Sequence, residues 1–292
     1  MVRFKLRDED LFNGGVNLLL VLVLLVVVIP LWYVLMVSLT PLSLWSAQAN
    51  RMFLWPGDWS FEAYRQLLGQ SNFVRSVLNS LKITISGTAL NMVLTVLTAY
   101  PLSRRTLPGR NLFVLAILFT FLFNAGLIPT YLVVKDLHLL NTLPALILPG
   151  AISVYNLLVM KAFFQSLPEG LEDAARIDGA NDFQVLWHVV LPLSRPILLT
   201  IGLFYAVGHW NEFFLPLLYL NDAALMPLPV LLHNILAAAS MAENVESNVV
   251  SATSLESLKM AAVVLTMIPM LLVYPWIQRH FTRGMLVGGI KE

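Results

Sequence analysis

Between Leu11 and Asn50 the chain carries no Asp, Glu, Lys or Arg, and within that stretch Val16–Val37 is almost wholly apolar. A helix needs about 20 such residues, rising 1.5 Å each, to cross a bilayer. A cleaved secretory signal is the competing assignment, because Arg3, Lys5 and Arg7 make a basic start. Signal cores run about 7–15 residues and end at a small-x-small site. This run is longer and continues through Pro30, Trp32 and Tyr33, so a retained first span is expected.

Further charge-poor runs follow at Ile83–Ser103, Leu112–Val134, Thr142–Met160, Ile197–Leu220 and Met260–Ile277. They are continuously apolar rather than alternating, which excludes barrel strands. The expectation is an all-α integral membrane protein with six transmembrane helices, forming one transmembrane domain over residues 1–292. Composition agrees: 58% of residues are hydrophobic, 12% are charged, and the mean hydropathy is +0.76. A soluble domain carries about 25% charged residues. Net charge is +1, which gives no case for nucleic acid, and cysteine is absent, which removes thiolate metal sites and disulfides. Pro129, Pro144, Pro149 and Gly150 fall in or near the third and fourth spans, where bends or packing kinks are both expected.

Orientation follows from Lys and Arg. With six spans, one side holds Arg3, Lys5, Arg7, Arg104, Arg105, Arg110, Lys161, Arg176, Arg195, Arg279, Arg283 and Lys291. The other holds Arg51, Arg65, Arg75, Lys82, Lys135 and Lys259. The richer side is cytoplasmic, so both termini are expected there. Two loops are then outside: Thr40–Ser80, with Trp55, Trp59 and a helix-like Phe61–Leu68, and Asn221–Ser257, which carries no base before Lys259.

The loop Lys161–Arg195 is far longer than the 2–8 residues usual between packed helices. Ser166, Leu167, Pro168 and Glu169 fit a capping box. Leu171, Ala174, Ala175 and Ile177 follow at near-helical spacing, and Gly179 can end the helix left-handed. Asn181 or Asp182 can cap a second helix, Phe183–Val190, stopped by Pro192 and Pro196. Ala174 and Ala175 allow close approach, and Glu172, Asp173, Arg176 and Asp178 can pair with partner charges. A helix lying on lipid is the alternative, but such helices are rich in Lys and Arg. Here Glu169, Glu172, Asp173, Asp178 and Asp182 outnumber Arg176 and Arg195, which favours a protein partner.

Glu172–Pro192, EDAARIDGANDFQVLWHVVLP, resembles the EAA loop of ABC importer permeases, whose pattern is E-A-A, three residues, Gly, nine residues, then I-x-L-P. Asp173, Ala174 and Ala175 take the E-A-A place, Gly179 the glycine, and Val189, Leu191 and Pro192 the close. ARIDGA, His209–Leu217 (HWNEFFLPL) and the tail Gln278–Glu292 are similar to carbohydrate permeases of the maltose-transporter inner-subunit class, and overall likeness extends to those for uronate oligomers such as alginate. The resemblance implies the type I importer permease fold in a bacterial inner membrane, with residues 161–195 as cytoplasmic EAA coupling helices. It implies a heterodimer with a second permease subunit, two ATP-binding subunits below and an extracytoplasmic solute-binding protein above. Coupling would rest on Glu172, Asp173, Ala174, Ala175, Arg176, Gly179, Leu191 and Pro192, with Asp173 meeting a basic residue of the ATPase and residues 278–292 reaching toward it. No G-x-x-x-x-G-K-[ST] occurs, so the chain is expected to be non-catalytic and to bind no cofactor, with ATP and Mg on the partners.

Glu212, beside Trp210 and Asn211, is ionisable within a span. It either lines the translocation path, with Trp210 stacking on a sugar ring, or makes a structural bond. Asn124, Tyr131, Asn156, Asn91 and Tyr205 are further path candidates that could equally bond between helices. The histidines lack metal-ligand spacing. Two rival functions remain: a secondary transporter with Glu212 as an ion site, which should show paired broken helices, and an ABC permease for peptides or amino acids.

Overall fold

The structure, a computed structural model, describes residues 3–41, 59–244 and 256–272. The tail 278–292, Ile277 at the end of the sixth span, Trp55 and residues 245–255 of the second outer loop lie outside the described residues. Every regular element among the described residues is helical.

The chain divides into two units. The first comprises residues 1–70 and 232–268. It holds α1 (Arg3–Ser38), α2 (Glu62–Gly69) and most of helix 256–272. From Phe12, α1 is long and apolar enough to cross a membrane, and Leu18–Ile29 is exposed on every face. A helix apolar all round needs an apolar surrounding. Its end is tied down: Ser38 and Tyr64 hydroxyls bond at 2.6 Å, and Ser257 Oγ donates to Thr40 O at 3.1 Å. The helix-like stretch at Phe61–Leu68 is present as α2.

The second unit, residues 71–231 and 269–292, is built around α3 (Ser71–Ser103), a 33-residue helix that spans without a break. The third predicted span is not continuous. It consists of α4 (Arg110–Leu122) and α5 (Leu127–Asp136), set 109° apart. Gly126 adopts φ +85, and Asn124 Oδ1 accepts from its N–H, so this backbone turns instead of continuing the ladder. The fourth predicted span is also corrected. Leu143–Leu146 is a 3-10 turn, and α6 begins only at Val154 and ends at Gln165, because Pro144, Pro149 and Gly150 prevent an earlier helix. α7 (Glu169–Ile177) and α8 (Asp182–Leu193) precede α9 (Arg195–Asn211), which stands at 84° to α8. α10 (Phe214–Tyr219) follows after Glu212 and Phe213, so the fifth span is interrupted too. α11 (Leu228–Asn244) starts in this unit and from Leu232 onward belongs to the first.

Two apolar clusters form along α3, one on its last turns and one around Ile83 nearer its middle. One gathers Ala99, Tyr100 and Leu102 with Leu157, Met160, Phe164, Val185, Leu186 and Val190. It packs α6 and α8 under α3, with Ala175 of α7 against it. The other joins Ile83 to Val134, Leu146 and Tyr219. Asn141 secures that cluster from a left-handed conformation, φ 60, which Asn tolerates. Its N–H donates to Tyr219 O at 2.7 Å, and its Oδ1 accepts from Asn221 and Asp222 N–H.

Candidate coupling and translocation sites

The turn between α7 and α8 is specified by backbone chemistry. Gly179 has φ +88; its N–H donates to Arg176 O and the Ala180 N–H to Ala175 O, both at 3.0 Å. These two bonds form a Schellman motif, which needs a residue at ease with positive φ. The capping box is at Asn181, not Ser166. Asn181 Oδ1 accepts from Gln184 N–H, and Gln184 Oε1 accepts from Asn181 N–H, both at 2.9 Å. Pro168 precedes α7 without a side-chain cap, and Ser166 Oγ turns back to Phe163 O. Across the turn, Arg176 pairs with Asp182 at 2.9 Å.

α7 has two faces. Glu172 is 4% exposed and forms an ion pair with Arg104, just beyond α3. Ala175, three residues on, is half-buried on the same side. Glu172 is therefore turned into the chain, whereas Arg176 and its partner Asp182 both stand at the surface. Asp173, Ala174, Ile177 and Asp178 face outward, with Ile177 86% exposed. The inward turn of Glu172 was readable from its spacing to Ala175; Arg104 and the outward Ile177 were missed. A cavity of about 550 Å³ opens beside the pair, lined by Arg104, Arg105, Arg110, Glu172, Asp173 and Arg176 among others.

Pro192 does not stop the second helix. A π turn, Leu186–Val190, precedes Leu191–Leu193, and the break falls at Ser194. The wider π turn is how the hydrogen-bond ladder adjusts just before a residue lacking an N–H. Leu191 and Pro192 thus lie in the last turn of α8, just before the break into α9.

The path candidates differ in burial and in their partners. Glu212 ends α9, and its Oε1 accepts from Phe214 and Leu215 N–H at 3.0 and 3.1 Å, capping α10 across the interruption. Trp210 is 3% exposed, so its ring is packed and offers no stacking face in this chain. Asn156 is buried in the first turn of α6. Tyr131 is half-buried and stacks on Tyr219 at 6.2 Å. Asn124 and Asn211 are exposed. Asn91 and Tyr205 bond between helices: Asn91 Nδ2 lies 3.1 Å from His209 Nε2, and the Tyr205 and Thr95 hydroxyls lie 2.7 Å apart. Gly87 makes room for His209, since a Cβ there would stand 2.5 Å from Nε2.

Residues 105–287 match the family model described as binding-protein-dependent transport system inner membrane component. The chain belongs to that family. This permease is 44% identical over 240 residues to protein LplC of Bacillus subtilis (strain 168), covering 82% of this chain and 81% of the other. It is 42% identical over 283 residues to the polygalacturonan/rhamnogalacturonan transport system permease protein YtcP of the same organism, covering 96% and 98%. Among solved structures it resembles a chain of a bacterial ABC transporter involved in the import of the acidic polysaccharide alginate, with TM-score 0.85 and 32% identity over 94% of this chain and 98% of that one. The permease is therefore a non-catalytic membrane subunit of an ABC transporter, with ATP hydrolysis residing in partner subunits.

Proposed function

We propose that this permease imports an acidic oligosaccharide built from uronate units, as one half of a heterodimer driven by two ATP-binding subunits and supplied by a solute-binding protein. The substrate class rests on two relatives alike over nearly the whole chain, one named for polygalacturonan and rhamnogalacturonan and one for alginate. Six spans with both termini cytoplasmic fit the distribution of Lys and Arg and the charge-poor runs of the sequence. ATP and Mg bind the partners. Asn124, Asn211 and Tyr131 are the path-lining residues we favour. Irregular backbone at membrane depth persists where it lines a water-filled cavity or is buried in protein, and Asn124 and Asn211 lie at or beside interruptions.

The observation that carries the coupling role is the outward face of α7, small at Ala174, acidic at Asp173 and Asp178, and apolar at Ile177. Asp173 pairs with a basic residue of an ATPase cleft in this proposal. Asp173→Lys then loses substrate-stimulated ATP hydrolysis far more than Asp173→Ala, and Asp173→Glu is tolerated. A charge-swapped ATPase partly rescues Asp173→Lys. If all three variants assemble and transport like the parent, Asp173 is an ordinary surface charge and the docking role is wrong.

A further inference from the structure

We infer that α3 is the strut through which the cytoplasmic coupling helix and the outer loop 223–228 act on each other, held at its inner end by Arg104–Glu172 and at its outer end by Asn79 and Ser80. This deepens the coupling role proposed for α7 and rests on it.

At the outer end Asn79 Nδ2 donates to Ala224 O at 2.8 Å and to Met226 O at 3.3 Å. One residue on, Ser80 Oγ accepts from Leu228 N–H at 2.8 Å. Asn79 and Ser80 are both buried, 5% and 1% exposed. The loop they hold is short backbone, a 3-10 turn over Ala223–Leu225 leading into α11. Three hydrogen bonds from one helix face leave it little freedom of its own.

At the inner end the Arg104 guanidinium forms an ion pair with the buried Glu172 carboxylate and lies 4.4 Å from the Tyr100 ring centroid. Gln165 Nε2 donates to Ser103 O, and Arg110 Nε to Leu102 O. The last carbonyls of α3 are thus tied to α6 and the start of α4, while its flanking arginine is tied to α7. A buried carboxylate without its partner is strongly disfavoured, so α7 and the end of α3 move together.

Asn79 and Arg104 are 25 positions apart, about 37 Å at 1.5 Å per residue. A bilayer's hydrocarbon core is about 30 Å thick. The two clamps therefore stand on opposite sides of the membrane. In this unit α3 is, among the described residues, the one unbroken helix long and apolar enough to cross; the bends between α4 and α5 and between α8 and α9, and the interruption at Glu212, would absorb a displacement. The side-chain bonds Thr95–Tyr205 and Asn91–His209 fasten α9 along the strut.

The test uses the whole transporter in nanodiscs with its solute-binding protein. Its readout is ATP hydrolysis with loaded binding protein divided by hydrolysis without, alongside co-purification of the ATPase. Arg104→Gln and Asn79→Ala each lower that ratio about tenfold with the ATPase still attached, within the range usual for coupling between sites. The double variant is no lower than the worse single, because both cut one link. The swap Arg104→Glu with Glu172→Arg restores the ratio, and it decides the matter if Arg104→Gln fails to assemble. Unchanged ratios in attached single variants, multiplying effects in the double variant, or an assembled but uncoupled swap would overturn the strut. Asp173→Lys separates this from the docking role: if it leaves the ATPase attached and stimulated, docking through α7 fails, whereas its loss alongside normal Arg104→Gln and Asn79→Ala ratios refutes α3 alone.

Discussion

Gly179 offers a perturbation whose magnitude follows from one dihedral angle. Its φ of +88 lies where a residue with a Cβ is strained, and a Cβ built there meets nothing within 4 Å. A substitution therefore costs conformation and not space in this chain. The left-handed penalty is roughly 1–2 kcal/mol for an L-residue, at the upper end for a β-branched one. If that cost falls on the docking-competent turn, the population able to engage the ATPase drops about 5- to 30-fold. Gly179→Val should insert in the membrane normally yet show ATPase attachment weakened by about that factor, measured by titrating the ATPase onto the reconstituted permease. Gly179→Asn should lie close to the parent, because Asn tolerates positive φ. Parental attachment in Gly179→Val would refute the reasoning. So would equal losses in Asn and Val, which would put the effect in side-chain bulk against the partner.

Other substitutions test other parts. Gly87→Ala forces the His209 ring away from a Cβ at 2.5 Å and should destabilise by about 1–3 kcal/mol, read as a lower Tm in detergent; in a His209→Ala background, which loses the Asn91 bond on its own account, adding Gly87→Ala should cost little more, and an unchanged Tm in Gly87→Ala would contradict the packing. Glu212→Ala removes the acceptor for two N–H groups of α10 and should cost about 1 kcal/mol, whereas Glu212→Gln keeps an acceptor oxygen and should retain ATP-dependent uptake. Loss of uptake in Glu212→Gln equal to that in Glu212→Ala would mean that the charge itself is required.

The coupling loop was legible because its information sits in backbone-specialised residues. Gly179 and Asn181 state where one helix ends and the next begins, and the structure uses both as the spacing suggested. The face assignment was available in the interval from Glu172 to Ala175 but not Glu172's partner, since Arg104 is 68 positions away and nothing local links the two. The spans were legible as apolar mass and much less as geometry. Hydropathy sums side chains and is blind to whether Phe123–Gly126 or Glu212–Phe213 continue a helix. Gly126 and Pro144, Pro149 and Gly150 carried the breaking signal, yet such residues also occur in intact spans where neighbours satisfy the backbone. Glu212 was ambiguous for a related reason. An acid within an apolar run signals a paired group without saying whether its partner is substrate or, as here, two amides of the next helix.

The central claim is that this permease moves an acidic oligosaccharide at the expense of ATP hydrolysed by partner subunits. Proteoliposomes holding the assembled transporter, its ATPase and its binding protein, with labelled oligogalacturonide outside the binding-protein face, test it directly. The account predicts uptake that requires ATP, persists without any ion gradient and is not competed by a neutral oligosaccharide of equal length. Uptake driven by a proton gradient in the absence of ATP would contradict it.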